Sequence, residues 1–435
     1  MSATLGVSVF LTNVEEDLAG GVSIVGDIYP AGATGAGRRN ILIPCGISVT
    51  PERYQVTAGR YVVSATLPSG AVLTEDVEAR EGEETLVSLD ASDSPYETHS
   101  WQYLMGNIEP RRVYHDPSTV PVPRSLGSRS MGAAVRAAGV NDHGGAAELP
   151  PIWPGRATWI GNSTISSWSF ESMNGLAARP PSTPIADVIA DSPPQVVAAP
   201  DATDGTSHLF RFGADGPLGA PSESYGNRQF LAVEIADAAH LVTLPAPWSS
   251  AQIEVLVNTR QSPTGSAIAV TVRDPAVGAG LAYMARGALG TAATLFTDVD
   301  SMLYSKNQNP LSAAAGAYVL VGTDLTDEPR HWDPWLEHLR DWFGWMSDGS
   351  VLCATRRLRQ ASTEADLRRA RAGLIEAYNR GVPFYTLGLS WLIDGLSEFP
   401  DDPECASRLR QARMLSWRVD MREPFVIVNL RGRPR

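Results

Sequence analysis

A chain of 435 residues is longer than one hydrophobic core usually serves, so two or three domains are expected, and 43% apolar against 19% charged residues supports packed cores rather than general disorder. No apolar run reaches the length of a membrane span, and Met1 to Asp17 has no basic start before its short apolar stretch, so neither a span nor a secretion signal is expected. The net charge of −13 falls on the front, with 16 basic against 29 acidic residues in 1–275 and 19 against 19 in 276–435, which disfavours nucleic-acid binding there.

Cys45, Cys353 and Cys405 are an odd, widely spaced set. That spacing argues against a disulfide framework or a zinc module and fits a reducing cytoplasm. Every basic residue except Lys306 is arginine, a bias consistent with a GC-rich genome.

In chain order, Leu5 to Leu11, Val22 to Ile28 and Asn40 to Val49 have strand character. Tyr61, Val63, Ala65 and Leu67 alternate with Val62, Ser64 and Thr66, the period of a half-buried strand. Pro68-Ser69-Gly70 supplies a turn, Ala71 to Ala79 a second strand and Thr85 to Leu89 a third, which predicts an antiparallel meander in a β-sandwich over residues 1–95. Gly59, Tyr61, Pro68, Gly70 and Gly82 make residues 55–90 resemble carboxypeptidase-regulatory-like and PEGA-like β-sandwich modules. The resemblance implies an accessory or binding role.

Residues 96–154 are rich in Pro and Gly, the composition of a linker, and carry Arg111, Arg112, Arg124, Arg129 and Arg136. Short strand patterns return at Ala157 to Phe170, His208 to Phe212, Gln229 to Ile235, Leu241 to Leu244, Gln252 to Val257 and Ser266 to Val272, with a second Pro/Ala/Asp/Gly-rich stretch at 178–221. They define a second β-rich region over 155–275.

From 276 onward the period is helical. Leu281 to Tyr304 reads as one helix, and Asn309-Pro310 opens the next, ending at Gly322. Asp333-Pro334 starts a third that stops before Gly349, and Thr363 with Asp366 forms a capping box for a fourth, closed by Gly381 and Pro383. Phe384 to Phe399 and a helix opened by Asp402-Pro403 complete the set, and Pro424 to Leu430 reads as a terminal strand returning to a sheet. The fold class expected is α+β and multidomain.

The candidate chemistry is sparse. Cys353 with His331 or His338 could form a thiol nucleophile and base, yet Cys353 lies in the apolar run Val351 to Ala354, where a small core residue is the commoner role. Gly388-Leu389-Ser390-Trp391-Leu392 lacks the second glycine of a nucleophile elbow, and the glycines at 32–37 precede no Lys-Ser/Thr. Asp201, Asp204 and Gly205 lack the following glutamate of a calcium loop and read as turn residues, and the seven histidines show no helical zinc pair. No cofactor or metal is therefore expected.

Two side-chain groups stand out. Trp332, Trp335, Leu336, Leu339, Trp342, Phe343 and Met346 recur at helical spacing, which suits core packing or an aromatic docking face. Arg356, Arg357, Arg359, Arg368, Arg369 and Arg371 form a basic run, either a solvated face balanced by acids or a contact for an anionic partner. The candidate interface is Trp332, Trp335, Trp342, Trp345, Arg356, Arg357 and Arg359.

Lys306-Asn307-Gln308-Asn309-Pro310 with the helix after it, the Trp-rich helix and Trp345-Met346-Ser347-Asp348-Gly349 make residues 280–398 resemble a helical region of bacterial caspase-like protease proteins and their gene neighbours. No protease domain of that kind is present. The resemblance implies a partner, regulator or substrate of a caspase-like protease in a signalling or defence system. Arg111, Arg112, Arg124, Arg129 and Arg136 would then be candidate processing sites, because exposed linkers enter protease clefts readily. The reading favoured is a non-enzymatic interaction protein of the cytoplasm. The alternatives are a hydrolase with a dispersed site, or ligand or glycan binding by the β modules, with Trp153, Trp159 and Trp168 as the first candidates.

Overall fold

The computed structural model describes residues 2–10, 22–31, 39–46, 49–66, 72–90, 153–163, 168–178, 195–204, 207–213, 228–235, 238–246, 248, 251–259, 268–272, 274 and, apart from 286, 297, 325 and 327, residues 277–431. The five linker arginines, the turn at 68–70 and the glycine-rich segment at 32–37 lie outside them. The described residues are α+β and group into two compact units.

The first unit joins seven strands to two short helices. The strands are β1 (Ser2–Phe10), β2 (Val22–Pro30), β3 (Arg39–Gly46), β4 (Glu52–Thr57), β5 (Gly59–Thr66), β6 (Val72–Ala79) and β7 (Glu84–Asp90). They form one sheet in the order β4-β1-β3-β2-β5-β6, with β7 on the other side of β1. Alternate residues Leu5, Val7, Val9, Ile41, Ile43, Val63, Ala65, Val87 and Leu89 are buried together, as a strand period of two requires. The expected meander is only half formed. β5 and β6 pair antiparallel, with Tyr61 opposite Val77, but β7 leaves β6 and runs parallel to β1 from Thr4 opposite Glu84 to Phe10 opposite Asp90. The turn at 80–83 explains the crossing: Gly82, at φ 72°, donates to the Ser2 carbonyl, and Thr4 N–H donates to the Glu83 carbonyl, so the turn is docked on β1.

Helices α2 (Gly278–Ala285) and α3 (Leu289–Leu295) belong to this unit. The long helix expected over 281–304 is therefore three short ones: Gly287, at φ 73°, ends α2, and Asp298 caps α4 (Val299–Tyr304) by accepting from Ser301 N–H at 3.0 Å. A glycine at positive φ breaks a helix without steric cost.

The second unit contains two antiparallel sheets. One runs β16-β13-β12-β8-β9, from β8 (Arg156–Ser163), β9 (Gln195–Ala198), β12 (Arg228–Ile235), β13 (Ala238–Leu244) and β16 (Ile427–Arg431). The other runs β10-β11-β14-β15, from β10 (Ala202–Asp204), β11 (Ser207–Phe212), β14 (Ile253–Asn258) and β15 (Ile268–Val272). The strand expected over 157–170 stops at Ser163, and α1 (Phe170–Ala177) follows, capped by the Ser169 hydroxyl accepting from Ser172 N–H at 3.2 Å. The terminal strand does return to a sheet, with Leu241 opposite Val428.

The unit's helices are α1, α4, α5 (Pro310–Thr323), α6 (Asp333–Trp342), α7 (Ser347–Gln360), α8 (Glu364–Asn379), α9 (Thr386–Ser397) and α10 (Pro403–Ser416). Asn309, Thr363 and Asp402 cap α5, α8 and α10 with their own side chains, and Thr363 with Asp366 completes the reciprocal box. α5 is buried nearly all round, as its uninterrupted apolar composition demands. Ile160, Phe230 and Val428 of the five-stranded sheet share one core with Leu374 of α8, Leu392 of α9 and Leu415 of α10.

Candidate partner-binding face on the helical region

The seven residues expected to form an interface separate into two groups. Trp332 and Arg356 are not on the surface: they are 4% and 2% exposed. Arg356 Nε donates to Asp333 at 3.0 Å, its other nitrogens reach the Thr326 and Glu328 carbonyls and Asp324, and its guanidinium lies 4.8 Å from the Trp332 ring centroid. A planar, permanently charged fork satisfies so many fixed acceptors as no other side chain does, so Arg356 anchors the 324–333 segment to α7. Arg330 draws the Asp324 carboxyl well below its ordinary range, with help from Arg356. Arg359 reaches the Val321 carbonyl and lies 5.4 Å from the Trp391 ring centroid, and Trp345 packs edge-on against Phe343 and Phe384. Arg357 pairs with Glu337 at 2.7 Å.

The remaining tryptophans meet at the surface. α4 ends at Tyr304, the turn after it delivers Lys306, and α6 presents Trp335, His338 and Trp342 at spacings of three and four. Lys306 Nζ lies 6.0 Å from the Trp335 ring centroid and 5.3 Å from that of Trp342, within cation–π reach of both. Burial pushes this ammonium below the usual lysine value. Tyr304 sits edge-on to Trp335 at 5.2 Å, and His338 stacks on Trp342 at 4.6 Å with an interplanar angle of 5°. His331 contacts Trp335 and Asp300, the latter at 3.1 Å. Tyr304 and Trp342 remain 67% and 53% exposed. The sequence marks Lys306 as the sole lysine and His338 as a possible base for Cys353, but not as neighbours of these aromatic rings, and it does not mark Tyr304; a whole helix, α5, separates Lys306 from α6, so spacing could not bring them together.

On the other side of α6, a cleft of about 230 Å³ is lined by Asp333, Glu337, Cys353, Arg357, Asp366 and Arg369 among others. Its charges are internally matched, since Arg369 pairs with Asp366 at 2.7 Å and Arg357 with Glu337. Burial pushes the Cys353 thiol up to about 12, which opposes formation of the thiolate a nucleophile requires. His331 and His338, the bases paired with it in sequence, engage Asp300, Trp335 and Trp342 instead.

The three tryptophans considered for a ligand groove are placed otherwise. Trp168 is a core residue, 1% exposed, donating to the Arg380 carbonyl at 3.2 Å. Trp159 is half-buried and donates to Gln229, and Trp153 packs edge-on against His208 and Phe210.

Beneath the helices, Asp348 is fully buried and accepts from Phe384 N–H at 2.8 Å, Tyr385 N–H at 3.3 Å and the Tyr318 hydroxyl at 2.8 Å. Arg228 of β12, 1% exposed, donates to the Val382 and Pro383 carbonyls and to Thr243. Burial lowers this guanidinium to about 9 and pushes the Asp348 carboxyl up. These contacts lock a strand of the five-stranded sheet to the loop ahead of α9.

A family model described as the Y4kD C-terminal domain matches residues 279–426, about a third of the chain. No curated protein and no solved structure matches the chain. Among the described residues, no helix is long and apolar enough to cross a membrane.

Proposed function

We propose that the protein is a non-enzymatic interaction protein that docks a protein partner on the face formed by Tyr304, Trp335, His338 and Trp342. The observation that carries this reading is the exposure of Tyr304 and Trp342 around Lys306 on well-packed helices. Isolated exposed aromatics are ordinary, but a contiguous group of Trp, Tyr and His is the composition of interface centres.

A narrower form makes the protein a partner, regulator or cleaved substrate in a bacterial caspase-like proteolytic signalling or defence system of the cytoplasm. It is supported by the resemblance of residues 280–398 and by the arginines at 111, 112, 124, 129 and 136 in a Pro/Gly-rich stretch. The test is affinity capture of the tagged full chain and of its Trp342→Ala variant from the native host, with mass spectrometry of partners and of new termini between Asn107 and Pro150. A partner retained by the parent and depleted about ten-fold or more by Trp342→Ala, at an unchanged melting temperature, is expected. A caspase-like protease among the partners and a cut after a linker arginine are expected of the narrower form. Recovery of the protein intact and alone overturns both.

A further inference from the structure

α10 carries a second surface unrelated to the Trp342 face. Its inner side is fixed in the core by Cys405, Ala412 and Leu415. Its outer side presents Arg410, Arg413, Met414 and Trp417, at spacings of zero, three, four and seven, all of them exposed. Met414 and Trp417 are 51% and 69% exposed, and Trp417 is among the most exposed large apolar side chains of the described residues.

The two arginines, with Arg359 and Arg418, differ from most arginines of the helical region. Arg340, Arg356, Arg357, Arg368, Arg369, Arg371, Arg380, Arg408 and Arg422 each have a carboxylate within ion-pair distance. Arg410 and Arg413 have none among the described residues. Asp394 of α9, an exposed carboxylate, interacts with Arg413 through space and forms no ion pair with it. The stripe therefore offers two guanidinium groups without an ion-pair partner among the described residues, followed on the same face by Met414 and Trp417, and Arg, Met and Trp are the side chains enriched in protein interfaces.

We infer that the Arg410–Arg413–Met414–Trp417 stripe is a docking site for an acidic segment of a protein partner that carries apolar side chains next to its carboxylates. Charge complementarity selects the occupant: the guanidinium forks match carboxylates, and Met414 with Trp417 accept the apolar residues. A membrane fits less well, because the apolar side of α10 is committed to the core and two exposed apolar residues do not make an interfacial helix. A nucleic acid fits less well, because the chain's net charge is −13 and the stripe itself carries just Arg410 and Arg413, short of the row of cations that a phosphate backbone engages.

The test uses the full chain with three probes: a short dye-labelled peptide of Glu, Asp and Leu, vesicles of phosphatidylserine and phosphatidylcholine, and a single-stranded DNA oligonucleotide. The peptide is expected to bind, to weaken as salt rises, and to lose about ten-fold or more in affinity in both Arg410→Glu/Arg413→Glu and Trp417→Ala. Trp342→Ala is expected to leave peptide binding unchanged, which separates this site from the proposed docking face. Should charge reversal lower the melting temperature, Arg410→Gln/Arg413→Gln takes its place. The proposal is overturned if the peptide does not bind, if it binds the arginine variants equally well, or if vesicles or the oligonucleotide bind more tightly than the peptide.

Discussion

Asp348 holds three donors that have no water to turn to. Asp348→Ala leaves the Tyr318 hydroxyl and two backbone N–H groups buried beside an uncompensated Arg228, and an expected loss of about 3–5 kcal/mol follows. Asp348→Asn keeps a carbonyl acceptor and is expected to recover part of that loss in urea denaturation. His208 sets a second expectation. It is fully buried, its Nδ1 lies 3.1 Å from the Thr203 hydroxyl, and its Nε2 has no hydrogen-bond partner among the described residues. Burial pushes this imidazole below its ordinary value. The unfolded chain then takes up a proton before the folded one does, so stability is intact above the ordinary value near 6.5 and falls as pH drops toward the folded value. His208→Phe is expected to flatten that slope in melts recorded from neutral to mildly acidic pH. Neither residue was legible as important in sequence, because a buried Asp or His is defined by what the fold brings around it. Asp348 was read only as part of a Trp-Met-Ser-Asp-Gly string.

Helix punctuation was the most legible layer, and one error within it is instructive. Asn309, Thr363 and Asp402 start their helices as their side chains predict, since a cap is a local hydrogen bond between residues two or three apart. Thr363→Ala is accordingly expected to cost about 1 kcal/mol, read by thermal melting. Gly349 was expected to end a helix, yet it lies within the first turn of α7, and the break falls at 343–346 instead. Its role is proximity: a Cβ there would meet the Arg340 backbone N and Cα and the Leu339 carbonyl at 3.0 Å, so the missing side chain lets α7 cross tightly over α6. Gly349→Val is expected to force the two apart at a cost of about 1–3 kcal/mol. A packing glycine and a terminating glycine look alike until the neighbouring helix is known. Strand existence was similarly legible in the second β region, but β9 and β10 lie in a stretch whose Pro/Ala/Asp/Gly composition conceals any alternation. The Trp-rich run read as one candidate face because spacing alone cannot separate the wall of a core from a surface. Arg356 decided that division by drawing Trp332 inward.

At the scale of the molecule, the α+β class and the order of β-rich front and helical rear were readable from the change of period near 276. The crossing of β7 onto β1 was not, because pairing partners depend on which edges remain open after folding begins. The five-stranded sheet shows what that dependence means for assembly. β13 and β16 are neighbours in space, but the chain between them contains every helix from α2 to α10. The outer edge of β13 therefore waits, with its N–H and C=O groups unmatched, until the helical segment has been synthesised and condensed. Such a delayed, non-local closure slows folding and leaves a sticky edge available to other nascent chains. Shortening the chain before Ile427 would make that waiting state permanent, so the truncated protein is expected to accumulate as aggregates in expression trials even though every residue of the Trp342 face is still present.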